Sequence, residues 1–306
     1  MKNETIISPD NFTACHKQDE YRRGVKTLCT AGENEERQCR ENCESYEALL
    51  SQIKTGSVTP EKVRDVTLIP LVGDVKLVIA CDSNASIGEK KNDYYKNAYE
   101  EVAVSAMKVP LMEVLATGAV PVVVVDNLCM EMEGAGKRII SIMRRQLEEA
   151  GLSNVQLTGS TEDNMPTTQS GFGVTAIGLL QMQDCRIAST RRGDRVVCVG
   201  VPRSGIKNER YSEYDRDTAK ISTVCRLAGL PYVHEILPVG SKGVRYEAGQ
   251  LAETAGLCFT PEERPEIDME TSAGSSTAVL CTLREDDLGK LKKDMDIGVF
   301  SVGQIG

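Results

Sequence analysis

The sequence has no tryptophan and only four phenylalanines among 306 residues. Its interior must therefore be built from Val, Ile, Leu and Ala. Histidine is nearly absent too, with His16 and His234 the two copies. That excludes a zinc-protease histidine pair, and any serine triad would have to use one of these two. His234, after Pro231-Tyr232-Val233, reads as structural or surface-lying. Basic residues are in the minority, 36 against 45 acidic, for a net charge of -9. A chain of this sign lacks the basic face of a general nucleic-acid binder. No apolar run can cross a bilayer, since the longest, Ala119 to Val125, is short and contains Pro121. The start, MKNETIISPDNF, lacks the charged and apolar regions of a signal peptide. There is no G-x-x-x-x-G-K-[ST] loop. Gly171-x-Gly173 has Ala176 in the third place and opens an apolar run, so a dinucleotide fingerprint is not supported either. A cytoplasmic protein is expected.

Cysteine, by contrast, is plentiful. Eleven cannot all pair within one chain. Cys81, Cys129, Cys185, Cys198, Cys225, Cys258 and Cys281 lie in apolar or helical surroundings and are expected as reduced core residues. Cys15, Cys29, Cys39 and Cys43 crowd into a polar N-terminal stretch beside His16. Their gaps lack the paired C-x2-C form of zinc sites. They mark either a zinc site or an extension without one.

The chain reads as three parts: an N-terminal extension, 1–60, and two units, 61–183 and 184–306. Asn34 to Ile53 has helical composition, and Gly56 to Pro60 reads as a loop. Val66–Leu71 and Val75–Cys81 read as strands around a Gly73-Asp74 turn. The loop Asp82 to Gly88 follows. Tyr94–Ala116 is helical by period, with a kink or restart expected at Pro110. Pro121–Asp126 is a valine strand. Gly134–Ala150 is an amphipathic helix, with Ile139, Ile142, Met143 and Leu147 on one side. Strands at Val155–Leu157 and Gly173–Leu180 complete the first unit. The second has strands at Arg195–Val201, Ala278–Leu283 and Gly298–Ile305. Its helices are Asp217–Ala228, Glu247–Ala255 and Glu285–Met295. The class is α/β or α+β, without the regular period of a barrel.

Carboxylates recur at the ends of these strands. Asp82 ends Leu77-Val78-Ile79-Ala80-Cys81. Asp126 ends the valine strand, Glu162 and Asp163 follow Gly159, and Asp65 opens the first strand. Hard carboxylate oxygens converging with water and phosphate suit Mg²⁺. Metal-bridged phosphate lets a protein without a P-loop lysine hold ATP. Taken singly, each acid fits a cap or turn equally well.

The order of the segments resembles one family. Asp82-Ser-Asn-Ala-Ser-Ile-Gly-Glu-Lys90 resembles the D-G-V-G-T-K loop of aminoimidazole ribonucleotide (AIR) synthase and its relatives. Glu113-Val-Leu-Ala-Thr-Gly-Ala-Val-Pro121 resembles their N-D-(apolar)-x-x-x-G-A-x-P helix, with Met112-Glu113 in place of Asn-Asp, and Val125-Asp126 matches the following strand. Gly159-Ser-Thr-Glu-Asp-Asn-Met-Pro166 and Gly171-Phe-Gly-Val-Thr-Ala-Ile-Gly178 resemble the G-G-E-T segment and the A-G-F-A-V-G strand. Gly193-Asp194 and Val199-Gly-Val-Pro-Arg-Ser-Gly-Ile206 resemble the opening of the second domain. The H-D-x-S-D-G-G-L motif is replaced by Leu237-Pro-Val-Gly-Ser-Lys-Gly-Val244, which argues against AIR synthase itself. Within the superfamily the chain looks most like the proteins assigned as α-ribazole kinase.

The resemblance covers residues 64–306 and implies a two-domain AIR synthase-like fold. It pairs an N-terminal mixed or antiparallel sheet bearing helices with a C-terminal α/β domain. It implies use of ATP and Mg²⁺ on a nucleoside-like small molecule, and a homodimer joined through the N-terminal domains. Asp82 and Asp65 would hold the metal, with Asp126 or Glu113 completing the shell. Ser83, Asn84, Gly88, Lys90, Gly159, Ser160, Thr161 and Lys242 would contact nucleotide or phosphate. Glu162 or Asp163 would take the acceptor's hydroxyl proton or bind a second metal. The Ser272–Thr277 loop lines the same cleft or is a plain turn. The resemblance leaves two other readings open: a kinase or synthetase for a thiamine or purine precursor, and a silent relative that only binds nucleotide.

Overall fold

The computed structural model describes residues 47–56, 58–205 and 211–306. The chain divides into two units, Met1–Gly56 and Ser57–Gly306. In the first, residues 47–55 are helical. Cys15, His16, Cys29, Cys39 and Cys43 lie outside the described residues.

In the second unit, period-two alternation lays out the first sheet. It contains β1 (Glu61–Val63), β2 (Val66–Pro70) and β3 (Val75–Ala85), with β6 (Val120–Leu128), β7 (Gln156–Thr161) and β8 (Gly171–Gln181). The spatial order is β1-β2-β3-β8-β6-β7. All pairs are antiparallel except β6 with β7, which are parallel. The β6–β7 connection accordingly carries a helix, α2 (Lys137–Glu149). On β3, Val78 and Ala80 are buried beneath α1 (Tyr99–Ala116), whereas Cys81, Ser83 and Ala85 are exposed on the other face. The small strands β4 (Ile87–Gly88) and β5 (Tyr95–Lys96) pair with each other between β3 and α1.

The second sheet runs β10-β12-β9-β13-β11, wholly antiparallel. Its strands are β9 (Arg195–Gly200), β10 (Val233–Pro238), β11 (Phe259–Pro261), β12 (Ala278–Leu283) and β13 (Val299–Ile305). Helices α3 (Ile221–Ala228), α4 (Gly243–Thr254) and α5 (Leu288–Asp294) accompany it.

Helix α1 joins the two halves. Apolar on every side, it must be buried on every side. It packs against β3, β8 and α2 of the first half and against β10 and α3 of the second. One continuous core results, running from Val78 and Leu111 through to Val197 and Ile236. Close approach depends on Gly178 of β8, where an added Cβ would stand 2.6 Å from Val114 Cγ1 and 3.0 Å from the Val120 carbonyl. The helix continues unbroken through Pro110, so the expected restart does not occur. Dense contact on all sides outweighs the one lost backbone hydrogen bond.

Several expected boundaries shift. Asp82 to Ala85 is the end of β3 rather than a loop, paired residue for residue with Val174 to Gly171. The small residues there suit a strand crowded against its neighbour. Residues 94–98 precede the helix, and Thr158 to Thr161 extend β7. Strand β10 was not expected, because His234 and Glu235 break its apolar pattern. Both polar groups are satisfied internally: His234 Nδ1 lies 2.7 Å from Asp194 Oδ2, and Glu235 is salt-bridged to Arg64 at 2.7 Å. All seven described cysteines are free, but only Cys198 and Cys281 are buried, while Cys81, Cys129 and Cys258 are exposed. Cys81 misled because, among the described residues, helices cover only the other face of its strand.

Candidate functional site

The carboxylates are placed by the register of the first sheet. Asp82 of β3, Val174 of β8, Asp126 of β6 and Gly159 of β7 occupy one cross-strand row. Residues in one row share a face. With strands spaced ~4.8 Å apart, Asp126 lies about 10 Å and Gly159 about 14 Å along the row from Asp82. The structure therefore does not bring Asp126 to Asp82. Asp126 is buried beneath Gly159, whose missing Cβ leaves room for the Asp126 carboxylate itself. Burial pushes the Asp126 carboxyl up to about 6.

Asp65, in the turn between β1 and β2, is electrostatically coupled to Asp82, Glu113 and Glu247. Glu113 sits in the last turn of α1, and burial, followed by Asp65 and Asp82, pushes it up to about 8. Its Oε2 is buried without a hydrogen-bond partner. Burial, then Asp65, pushes Glu247 of α4 up to about 7. Burial, and more weakly Asp65, also raises Asp82. Glu247 was missed in the sequence, although a visible signal existed: it interrupts the apolar stripe Val244-Ala248-Leu251.

Among the described residues, no three His, Cys, Asp or Glu side chains stand close enough to cage a metal ion. Mg²⁺ does not need such a cage, for it keeps several waters and takes one or two carboxylates together with phosphate. The all-oxygen donor set and the orphaned Glu113 Oε2 fit that mode, with Glu113 and one of Asp65 and Asp82 as the residues that would hold it.

The raised Glu113 has a measurable consequence. The unfolded chain loses this proton near 4.5 and the folded chain near 8. Between those values the folded state binds more protons, so stability falls as pH rises. The expected slope reaches about 1.4 kcal/mol per pH unit for one group. Glu113→Gln should flatten the profile of melting temperature against pH between 5 and 8. Mg²⁺ should raise the melting temperature at pH 8 in the wild type more than in that variant. An unchanged slope in Glu113→Gln counts against this titration.

The other expected contacts are scattered. Lys90 donates to Glu131 Oε2 at 2.5 Å and to the Thr167 carbonyl at 3.1 Å, and it holds the Glu131 carboxyl down at about 2. Gly88 is packed so closely that a Cβ would meet Ser170 Oγ at 2.5 Å. Ser160, Thr161, Glu162 and Asp163 lie at the β7 edge of the sheet. Asp163 accepts from Met132 N at 2.8 Å and Thr161 Oγ1 at 2.6 Å, while Glu162 accepts from Asn164 N at 2.8 Å. These acids order their own turn. Lys242, at the start of α4, is exposed, with its ammonium 4.1 Å from the centre of the Tyr246 ring.

A cleft of ≈ 250 Å³ opens where the end of β3 and the start of α1 meet loops of the second half. Asp82, Ser83 and Asn84 line one wall, with Tyr95, Asn97 and Glu101. Ser204, Tyr211, Glu213 and Ser275 line the other. The Ser272–Thr277 loop thus does reach the cleft beside Asp82. Beneath it, Lys108 of α1 donates to Glu213 Oε2 at 2.5 Å and to the Ala219 carbonyl at 3.2 Å. Lys108 is 1% exposed and Glu213 4%. Sequence reasoning missed both, yet a lysine inside the apolar stretch Ala106–Met112 requires a buried partner.

No protein-family model and no curated protein matches the sequence. Solved structures do match. Thiamine-monophosphate kinase from Stenotrophomonas maltophilia K279a superposes with a TM-score of 0.57 at 15% identity, over 85% of this chain and 93% of that one. AaThiL complexed with AMPPCP and TMP gives 0.54 at 16% identity, over 85% and 89%. The hydrogenase maturation protein HypE in complex with ATP gives 0.55 at 16% identity, over 77% and 78%. Among the described residues no helix is long and apolar enough to cross a membrane. With its two sheets packed about one shared helix, the chain has the fold of these thiamine-monophosphate kinases and of HypE.

Proposed function

We propose that the chain is an ATP- and Mg²⁺-dependent small-molecule kinase, converting α-ribazole to α-ribazole 5'-phosphate. The observation that carries this reading is the position of Asp82. It belongs both to the carboxylate group with Asp65 and Glu113 and to the wall of the cleft. A metal-phosphate end and an acceptor end thus meet at one residue. Phosphoryl transfer needs little more than this, namely positioning of acceptor and donor and neutralisation of charge. Mg²⁺, when bound, would supply that neutralisation. Asp82 orients the acceptor hydroxyl, and its raised carboxyl is suited to exchanging a proton. Glu162 and Asp163, three strands away, serve the nucleotide end, with Gly159, Ser160 and Thr161 along the same edge. Lys90 reaches phosphate by leaving Glu131. The fold's occurrence in proteins solved with ATP or AMPPCP supports the nucleotide. The choice of α-ribazole rests on the sequence motifs alone.

A homodimer through the first sheet is part of the same reading. Cross-strand partners Val120 and Leu179 are 67% and 42% exposed, next to half-buried Leu77 and Ile177 on the face that no helix among the described residues covers. Free thiols fit a reducing cytoplasm.

The test is ADP release with Mg²⁺-ATP, with and without α-ribazole, beside thiamine monophosphate. Release that depends on α-ribazole is the expected result. Dependence on thiamine monophosphate instead would move the acceptor assignment. Binding of AMPPCP without any acceptor-dependent release would leave only a nucleotide-binding protein.

A further inference from the structure

Donors line one side of the cleft, on Ser83, Asn84, Tyr95 and Asn97, but the Tyr211–Glu213–Ser275 wall opposite presents hydrogen-bond acceptors, and this limits what can sit against it. Glu213 Oε1 accepts from Ser275 Oγ at 2.5 Å and from the Tyr211 hydroxyl at 3.3 Å. The two hydroxyls also lie 2.8 Å apart. Each hydroxyl has a single hydrogen. Ser275 commits its own to Glu213, and Tyr211 commits its own to Glu213 or Ser275. Burial and the neighbouring carboxylate hold the Tyr211 phenol well above its usual range, so it keeps its proton. Both oxygens therefore offer the cleft lone pairs only. Ser105 is in the same position, donating to the Val102 carbonyl at 3.0 Å. Asp82 and Glu101 are carboxylates, and Glu101 is itself fixed by Ser212 Oγ at 2.6 Å and Glu213 N at 2.7 Å. Among the described residues no lysine or arginine lines this cleft. Lys207 and Arg210 fall in 206–210, outside the described residues.

We infer that this cleft is the acceptor site and that it takes a donor-rich, unphosphorylated small molecule through the Tyr211–Glu213–Ser275 wall. Against this wall a phosphate monoester offers acceptors to acceptors, and it brings negative charge into a cleft lined by the carboxylates of Asp82, Glu101 and Glu213. Hydroxyls, or a cationic ring flanked by hydroxyls, offer what the wall lacks. Lys108 acts from beneath as a positioning residue, since it fixes Glu213 and through it both hydroxyls. The inference builds on the kinase reading but concerns binding and needs no turnover.

Calorimetry on the full chain without ATP tests it, using α-ribazole and α-ribazole 5'-phosphate as one pair and thiamine and thiamine monophosphate as another. In at least one pair the unphosphorylated member should bind at least about tenfold tighter, the worth of one net hydrogen bond. Ser275→Ala, which leaves the buried Lys108–Glu213 pair intact, should weaken that member several-fold without changing AMPPCP binding. Glu213→Gln should narrow the gap within the pair, because it frees a hydroxyl hydrogen and removes a charge. Tighter binding of the phosphorylated member in both pairs, or no binding of either unphosphorylated compound, overturns the inference. So does a Ser275→Ala variant with wild-type affinity. Binding as expected but no ADP release would instead sink the kinase reading and leave the site standing.

Discussion

Asp82→Asn should lower acceptor-dependent ADP release by about a thousandfold or more, the order lost when a charge-positioning group leaves a transfer site. The substitution is close to isosteric and lies at the end of β3, where backbone pairing to Val174 is unaffected by the side chain. The fold should therefore survive, with a melting temperature no lower than that of the wild type, because the lost carboxylate was held above its usual range. What changes is chemical: an amide replaces the one carboxylate common to the cleft and to the group around Asp65. Asn at this position neither attracts a divalent ion nor takes a proton from an acceptor hydroxyl. Asp126→Asn provides a contrast, since that residue is buried about 10 Å along the row beneath Gly159. It should cost far less activity. Wild-type turnover in Asp82→Asn would remove the basis of the assignment.

Lys108→Met should have the largest effect on stability. The ammonium it deletes is the counter-charge for a carboxylate that is 4% exposed. Removing one partner of a buried pair costs about 3–5 kcal/mol, since the other charge is stranded. For a unit of this size that lowers the melting temperature by roughly 10 °C. The double variant Lys108→Met with Glu213→Gln should recover much of the loss, because buried ion pairs add little over neutral groups of similar shape. The comparison separates a stranded charge from lost packing. Thermal unfolding of the two variants beside the wild type reads it, and an unchanged melting temperature in Lys108→Met would show that the pair is not closed in solution.

Much of the first half could be read from pattern. The valine strand, the amphipathic helix around Lys137–Glu149 and the first part of β3, Val75–Cys81, all announce their period, and motif order carried the fold. Ala278–Leu283 was legible to the residue. The failures share a cause. Strand β10 hides because His234 and Glu235 are polar, yet the half-buried His234 and the buried Glu235 are paired with partners far away in sequence, Asp194 and Arg64. Glu247 and the Lys108–Glu213 pair depend in the same way on contacts between distant segments, 105 residues apart for the pair. Local period cannot report such partners. A charge inside an apolar stripe at least says that a partner must exist. Asp126 illustrates the opposite error: sitting at a strand end beside small residues, it looked equivalent to Asp82, but register separates them by an intervening strand.

The shared helix has a mechanical meaning for the site. Proteins with two lobes and a cleft between them commonly work by swinging the lobes apart, and that motion requires a thin connection. Here α1 is buried in both halves at once, and its residues Glu101 and Lys108 grip the far wall of the cleft directly. Opening by rotation of one half against the other would tear this helix out of a core it cannot leave. The cleft therefore has a floor continuous with the core of both halves, which makes it a fixed template and not a hinge.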